Sequence, residues 1–338
     1  MCVAAIRGMR GVRIVLLGGG VAVLAWLVLH IGPRAIVASL EQITWWQLVL
    51  ICLVHGLAMV VDTLGWRYAF ARDRVPFGTL LAARTAGEAV NIVTALASVG
   101  GEAVKAWLIK QDVPYEESVP SVIAAKTATT VAQALFLVVG IVVACTLFTW
   151  RSPFMVGMIW LLVIETIAVG GFLAAQWSGL IGRAGRLLAL TGLGHVEAHA
   201  ARLDGALRAY YRQQWPRFLL SIGCHAVGNV FAVLETLLVM RAIGIPAGLA
   251  TATVVDALGS GIRFATFMVP GSVGALEGAH AAAFAALGFG AGAGLAYTIV
   301  RRARQVIWIG LGLAVLGVMR LRQPALAGSS TAGAPSPR

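Results

Sequence analysis

Glu102 and Lys105 stand three residues apart, straight after a Gly100-Gly101 pair, inside a long apolar stretch. That spacing lets acid and base share one helical face. Similar groups recur along the chain. Glu88 and Asn91 are three apart, and Lys126, Thr130 and Gln133 form a polar stripe. His225 and Asn229 are four apart, with Glu235 projecting from a different side of the same helix. Asp256, Ser260 and Arg263 line up over two turns, and Glu277 follows "PGSVGAL". Arg301, Arg302, Arg304 and Gln305 cluster early in the last apolar run, and Glu165 stands alone.

An ionisable side chain at membrane depth costs roughly 2.5–3.5 kcal/mol on insertion scales, so each needs a partner, a wet cavity or a function. Internal ion pairing is the plain account, and it is the one expected of Glu165. For Asp256 with Arg263, pairing and a functional role weigh equally. Three arginines in four residues cannot all be matched by one neighbouring acid. The Arg301–Arg304 group, with Glu102 and Glu277, therefore points to a functional cavity. The planar arginine fork suits a phosphate or a carboxylate. Glu102 and Lys105 could contact a headgroup, couple a proton or pair with each other.

Other chemistries find little support. No D-x-D motif of a metal-dependent transferase is present. "HVEAH" (195–199) has two histidines four apart, but its glutamate is misplaced for H-E-x-x-H and no third ligand is evident. Gly18-Gly19-Gly20 reads as a small-residue packing surface, not a nucleotide loop. Cys2, Cys52, Cys145 and Cys224 are scattered and form no C-x-x-C. No catalytic residue, metal or cofactor is expected.

Such residues need elements to hold them, and composition says which kind. The 338 residues are 59% hydrophobic and 12% charged, with mean hydropathy +0.87. Soluble chains carry about a quarter charged residues. "IVLLGGGVAVLAWLVLHI" (14–31) holds 18 residues with no formal charge, near the length that crosses a bilayer. Comparable runs lie at 45–66, 118–149, 153–176, 217–240 and 294–319. The predicted fold class is all-α: a polytopic integral membrane helical bundle. The first run is longer than a usual signal-peptide core, lacks a small-x-small cleavage site and reads as a retained span.

The net charge of +12 is a topology signal, because basic residues flank the runs instead of forming a nucleic-acid patch. Arg7, Arg10 and Arg13 precede the first run, and Arg67, Arg72 and Arg74 follow the second. Arg183, Arg186, Arg202, Arg208, Arg212 and Arg217 fill the central loop, and Arg320 and Arg322 close the last run. The opposing loops carry single basics such as Arg34 and Arg151. The positive-inside rule puts the N-terminus, central loop and C-terminus in the cytoplasm. That assignment holds only if residues 78–110 form a hairpin entering from the cytoplasm, and 247–290 one entering from the opposite face. The halves, about 12–150 and 153–322, are then inverted repeats with broken, re-entrant helices, as in transporters. Gly100-Gly101 and Pro270-Gly271 are the expected turning points. Within the central loop, about 177–216, apolar residues recur at helical spacing from Val196 to Tyr210, with arginines largely off the stripe. That helix either lies on anionic lipid or packs on the bundle. The Pro/Ser/Gly-rich tail, 323–338, is expected to be disordered.

"GEAVNIVTALASVGGEAVKAWLI" (87–109), "DALGSGIRFATFMVPGSVGALEGAHAAAFAALGF" (256–289) and "RRARQ" (301–305) together resemble the lysylphosphatidylglycerol synthase transmembrane, or flippase-like, family. The pattern is closest to its hopanoid biosynthesis-associated branch, and the resemblance covers about 12–322. Gly87, Glu88, Asn91, Gly100, Gly101 and Glu102 match one motif; Pro270, Gly271, Gly274, Glu277 and Gly278 match the other. This chain has Ala95 and Leu276 where relatives usually carry proline and often glutamine. The resemblance implies a single flippase-like domain over 1–322 in a bacterial inner membrane. It implies movement of a polar-headed lipid, hopanoid or phospholipid, between leaflets or toward the outer membrane. Expected partners are membrane lipids and enzymes of hopanoid or phospholipid synthesis, with no nucleic acid. Some relatives fuse this module to a soluble aminoacyl-transferase domain, for which the chain leaves no room, so lysyl transfer is not expected. A lipid-modifying membrane enzyme and a non-transporting scaffold are the rival functions. The cavity would be built from Glu88, Asn91, Gly100, Gly101, Glu102, Lys105, Asp256, Arg263, Pro270, Gly271, Gly274, Glu277, Gly278, Arg301, Arg302, Arg304 and Gln305.

Overall fold

A computed structural model of the chain describes residues 43–93, 99–178 and 194–322. The run at 14–31, the arginines ahead of it and the tail from 323 lie outside the described residues. In chain order the helices are α1 (Trp45–Tyr68), α2 (Phe77–Val93), α3 (Val99–Leu108), α4 (Tyr115–Ala144), α5 (Pro153–Ser178), α6 (Gly194–Gln213), α7 (Trp215–Ala242), α8 (Leu249–Ala265), α9 (Ala275–Ala286) and α10 (Ala291–Arg322). A 3-10 turn at Pro270–Ser272 links α8 to α9, and no strand occurs among the described residues.

Five helices, α1, α4, α5, α7 and α10, are long and apolar enough to cross a membrane. They coincide with the five apolar runs after residue 44. Their ends carry ordinary stop and start signals. Thr44 N–H donates to Gln47 Oε1 at 2.9 Å at the start of α1, satisfying a donor that has no helical partner. Pro114 precedes α4 and Pro216 sits in the first turn of α7, where a missing N–H costs nothing. The outward faces are apolar, as lipid contact requires: Leu53, Val142, Trp160, Ile167 and Val306 are all exposed.

The returning helices of the two hairpins are too short to span. α3 has 10 residues and α9 has 12; at 1.5 Å per residue they rise about 15 and 18 Å, against about 30 Å of hydrocarbon. Each folds back on the helix before it. Gly87 of α2 faces Gly101 and Lys105 of α3, and Asn91 faces Gly101, a pairing that fixes an antiparallel hairpin. Gly259 of α8 faces His280 of α9 in the second hairpin.

The turning points differ from expectation in one hairpin. Gly100 and Gly101 lie inside α3 and are not the turn; the link from α2, 94–98, lies outside the described residues. Close approach explains the glycine: a Cβ on Gly101 would lie 2.1 Å from the Gly87 carbonyl oxygen. Pro270-Gly271 does sit at the turn, with Gly271 at φ 59°, which favours glycine.

Packing is crossed between the halves. α7 runs antiparallel along α1, so that Gly65 meets His225 and His55 meets Glu235. α10 packs on α2, and α4 packs on α8. One apolar cluster joins Trp66, Phe70, Val75, Leu108, Ile109 and Tyr210; a second joins Ile51, Ala144, Met155, Ile245 and Phe284. The first hairpin therefore opens at one end of the bundle and the second at the other. The first end gathers the basic loops. Arg217 donates to the Phe70 carbonyl at 2.8 Å and pairs with Asp73, Arg74 meets Glu117 at 2.9 Å, and Arg320 lies over Trp107. α6 packs there on α4 and α7 with Leu207 and Tyr210 buried and Arg202, Arg208 and Arg212 outward. Tyr210 Oη donates to the Tyr68 carbonyl at 2.9 Å.

Candidate functional site

Between the two apolar clusters lies a cavity of about 710 Å³. His55, Thr130, Asn229 and Gln305 line it, and each sits near the midpoint of its spanning helix. The cavity is therefore at mid-depth of the bundle. Its floor and walls mix apolar groups (Met59, Phe172, Phe264, Phe267, Met268, Ile309) with a dense polar set.

The wall from the first hairpin is built around Lys105. Its Nζ donates to Glu88 Oε1 at 2.9 Å and to Glu102 Oε1 at 3.0 Å, and the residue is only 5% exposed. Asn91 clamps the hairpin. Its Nδ2 donates to Glu102 Oε1 at 3.3 Å, while its Oδ1 accepts the Gly101 N–H at 2.7 Å. That N–H belongs to the first turn of α3 and has no partner within the helix. Arg84 of α2 reaches the other way, to Asp62 Oδ2 of α1 at 3.2 Å. Asp62 Oδ1 in turn lies 2.7 Å from His225 Nδ1 of α7, and His225 Nε2 lies 3.1 Å from Thr129 Oγ1. A smaller pocket of about 40 Å³, walled by Arg84, Glu88, Glu102, Lys105 and Lys126, adjoins this side.

The opposite wall belongs to α10 and the second hairpin. Arg301, Arg302 and Arg304 of α10 each find a different acid. Arg301 Nη1 donates to Asp256 Oδ1 at 2.7 Å, Arg302 Nε to Glu277 Oε1 at 2.9 Å, and Arg304 Nη1 to Glu235 Oε2 at 2.7 Å. Arg301 Nη1 also reaches Tyr297 Oη at 2.6 Å, and Thr236 Oγ1 donates to Asp256. Arg302 Nη1 donates to Gln305 Oε1 at 3.0 Å. Glu277 is engaged on its other oxygen too, where Oε2 accepts the Gly274 N–H at 2.7 Å and closes the start of α9. His55 Nδ1 lies 3.3 Å from Glu235 Oε2. The sequence weighs an Asp256–Arg263 pair against a functional role; the structure gives Asp256 to Arg301 instead. Arg263 is seven residues on in the same helix, too far along it for direct contact, whereas α10 brings Arg301 alongside.

The singled-out residues divide accordingly. Glu88, Asn91, Arg263, Gly271, Arg301, Arg302, Arg304 and Gln305 line the main cavity. Glu102 and Lys105 line the smaller pocket. Gly100, Gly101, Asp256, Gly274, Glu277 and Gly278 line neither, and hold the hairpins or back the arginines. Glu165 is buried with both carboxylate oxygens unpartnered among the described residues. Also among the described residues, no group of three or more His, Cys, Asp or Glu is placed to hold a metal. Local spacing passes over His55, Asp62 and Arg84. His55 and Asp62 are two turns apart on one face of α1, a periodicity that could have paired them.

The sequence profile of the lysylphosphatidylglycerol synthase transmembrane region matches residues 11–314. The chain belongs to that family. No curated relative and no solved structure matches it. As a lysylphosphatidylglycerol synthase transmembrane-region protein, it is a multi-pass membrane protein involved in lipid handling. In this family member the G-E-x-x-N and G-G-E residues form the Lys105 cluster. Its P-G-x-x-G-x-x-E-G residues form the turn and helix start that carry Glu277 to Arg302.

Proposed function

We propose that the chain moves a polar-headed lipid, a hopanoid or a phospholipid, between leaflets of a bacterial inner membrane or toward the outer membrane. One observation carries the reading: a large cavity at mid-depth, lined by charged and apolar groups together and lying between the two apolar clusters. A headgroup can rest there while its acyl or ring portion stays among the apolar lining. A scaffold would not need so many ionisable groups at that depth, given their cost.

Inverted halves supply the motion. α1, α2 and α4 of the first half recur as α7, α8 and α10 of the second, each about 170 residues on. The crossed packing of α10 on α2 and α4 on α8 fits an exchange of the two halves. So do the two acid–imidazole contacts between α1 and α7, Asp62 with His225 and Glu235 with His55. Rocking one half against the other would open the cavity to each leaflet in turn. The basic end of the bundle is then cytoplasmic, with both termini on that side. The unit of function is the single domain 1–322.

Fluorescent lipid loaded symmetrically into proteoliposomes and quenched from outside tests this. Transport predicts that quenching exceeds the half accessible in protein-free vesicles, for at least one phospholipid or hopanoid probe. Quenching that stays at half for every probe, with protein shown to be folded and inserted, rejects the transporter reading.

A further inference from the structure

Two cations in the cavity are left over once the ion pairs are assigned. Arg84, Arg301, Arg302, Arg304 and Lys105 each meet a carboxylate. Arg263 and Lys126 line the same cavity and make no ion pair among the described residues. Arg263 is only partly exposed, on the second hairpin's first arm. The partner that its own helix offers, Asp256, is taken by Arg301. A guanidinium so placed is expensive unless something anionic comes to it.

Beside it stands a second unsatisfied group. His280 of α9 is 1% exposed and lines the cavity, and its Nε2 has no hydrogen-bond partner among the described residues. Its Nδ1 lies 2.9 Å from Thr298 Oγ1, and that hydroxyl donates to the Gly294 carbonyl. The hydroxyl's proton is therefore spent, so Nδ1 is the donor and Nε2 of the neutral ring is an acceptor. A methyl on Gly259 would lie 2.9 Å from His280 Nε2 and 3.4 Å from Arg263 Nη1. Both nitrogens thus border the same small space over that glycine.

We propose that Arg263 and His280 form a headgroup subsite for an anionic, hydroxyl-bearing group. Arg263 takes a phosphate or carboxylate oxygen, and His280 Nε2 accepts a neighbouring hydroxyl. Lys126, across the cavity, adds positive field without a direct contact being required. The inference rests on the cavity being a lipid path, and it narrows the cargo to lipids with a negative charge and an O–H within one headgroup. The arginines of α10 are not the binding forks, because their acids already hold them. The bare backbone at Gly259 keeps the subsite open.

Thermal unfolding of the purified full chain in a neutral detergent is the test, with dihexanoyl phosphatidylglycerol as the probe. Dihexanoyl phosphatidylmethanol lacks the hydroxyl, dihexanoylglycerol lacks the charge, and inorganic phosphate lacks the lipid. Phosphatidylglycerol should raise Tm saturably, phosphatidylmethanol should bind several-fold more weakly, and dihexanoylglycerol should give no shift. Arg263→Gln should weaken phosphatidylglycerol binding at least tenfold without lowering the Tm of the lipid-free protein, since no native ion pair is lost. Arg263→Lys should fall between. His280→Phe should remove the difference between phosphatidylglycerol and phosphatidylmethanol. A shift with inorganic phosphate matching that of the lipid would support the anion site while assigning it to a free anion. An undiminished shift in Arg263→Gln, or equal shifts with dihexanoylglycerol, overturns the subsite. Translocation reports separately: lipid movement without Arg263-dependent binding keeps the transporter and rejects the subsite. Arg263-dependent binding without movement of any lipid does the reverse.

Discussion

The two helical hairpins meet the same problem, a short helix returning at membrane depth, and solve it with opposite charge balances. In the first, one lysine lies between two acids, Glu88 and Glu102, and Asn91 ties the returning helix to its partner. Backbone meets backbone there, at Gly87 and Gly101. In the second, two acids of the hairpin, Asp256 and Glu277, are spent on arginines of α10, and the hairpin's own arginine is left facing the cavity. The Lys105 cluster of the first hairpin is satisfied within the hairpin, with only Arg84 reaching out to Asp62 of α1, and it reads as a fixed wall. The second borrows its partners from a neighbouring helix and keeps one cation open, so it is the wall where a ligand can make a difference.

The largest effect should come from unbalancing the first hairpin. Lys105→Met leaves Glu88 and Glu102 facing each other without their shared cation, in a site where Lys105 is 5% exposed. Breaking a buried pair from one side costs about 3–5 kcal/mol. The detergent-solubilised protein should lose its cooperative melt. Adding Glu102→Gln should restore part of it, since one acid can still pair with Arg84, 3.9 Å away. A Lys105→Met protein as stable as the parent would show that this wall is not electrostatically closed.

Next comes Gly101→Ala. The new methyl would sit 2.1 Å from the Gly87 oxygen and 2.4 Å from Asn91 side-chain atoms, and the backbone oxygen cannot swing away. Overpacking costs typically 1–3 kcal/mol, and this case belongs at the upper end. Labelling of cysteines placed at 78 and 111, exposed positions at the open ends of the two arms, reads the consequence. In the intact hairpin both should react from the cytoplasmic face, and opposite faces would reject the re-entrant arrangement.

Glu277→Gln probes the second hairpin more mildly. A glutamine Oε1 can still accept the Gly274 N–H, so the start of α9 survives, but Arg302 loses its charge partner. Arg302 keeps Gln305 and borders the cavity, so its orphaned charge is wetter than that of the acids around Lys105. The cost should be about 2 kcal/mol, in the lower part of the range for a hydrogen bond to a charged group. Arg302→Gln in the same protein should recover much of it. Full stability with translocation abolished would instead make Glu277 a transport group.

These contrasts also show what can be read from the sequence. The five described spans are legible because apolar runs of 22 or more residues have no soluble alternative. The hairpins are legible from charge, since only a returning segment keeps Arg67–Arg74 and the central arginines on one side. The amphipathic helix α6 is legible from its stripe, and the structure places it on the bundle. What spacing cannot give is partner choice between distant helices. Arg301 and Asp256 are 45 residues apart, and Arg304 and Glu235 are 69 apart. Only the crossed packing of helices brings them together, so spacing alone credits the surplus of arginine to α10 when it belongs to Arg263. The Gly100-Gly101 pair misleads for a similar reason: glycine marks both turns and close contacts, and the neighbour that decides between them, Gly87, lies on another helix.

The smallest effect should come from Gly271→Ala, the second hairpin's counterpart to Gly101→Ala. Two costs apply. Gly271 has φ 59°, in the left-handed region, where a Cβ costs roughly 1–2 kcal/mol. The methyl would also lie 3.3 Å from Arg302 Nη1. That contact is the far end of a flexible side chain bordering open cavity, so it can yield by a few tenths of an ångström. The expected loss is therefore about 1 kcal/mol, offset in part because alanine restricts the unfolded chain. A melting shift of a few degrees, with both hairpin cysteines still labelled from their expected faces, is the outcome that fits. If Gly271→Ala proves as damaging as Gly101→Ala, the second hairpin is as rigidly packed as the first. The distinction between a closed wall and an open one would then fail at its turn.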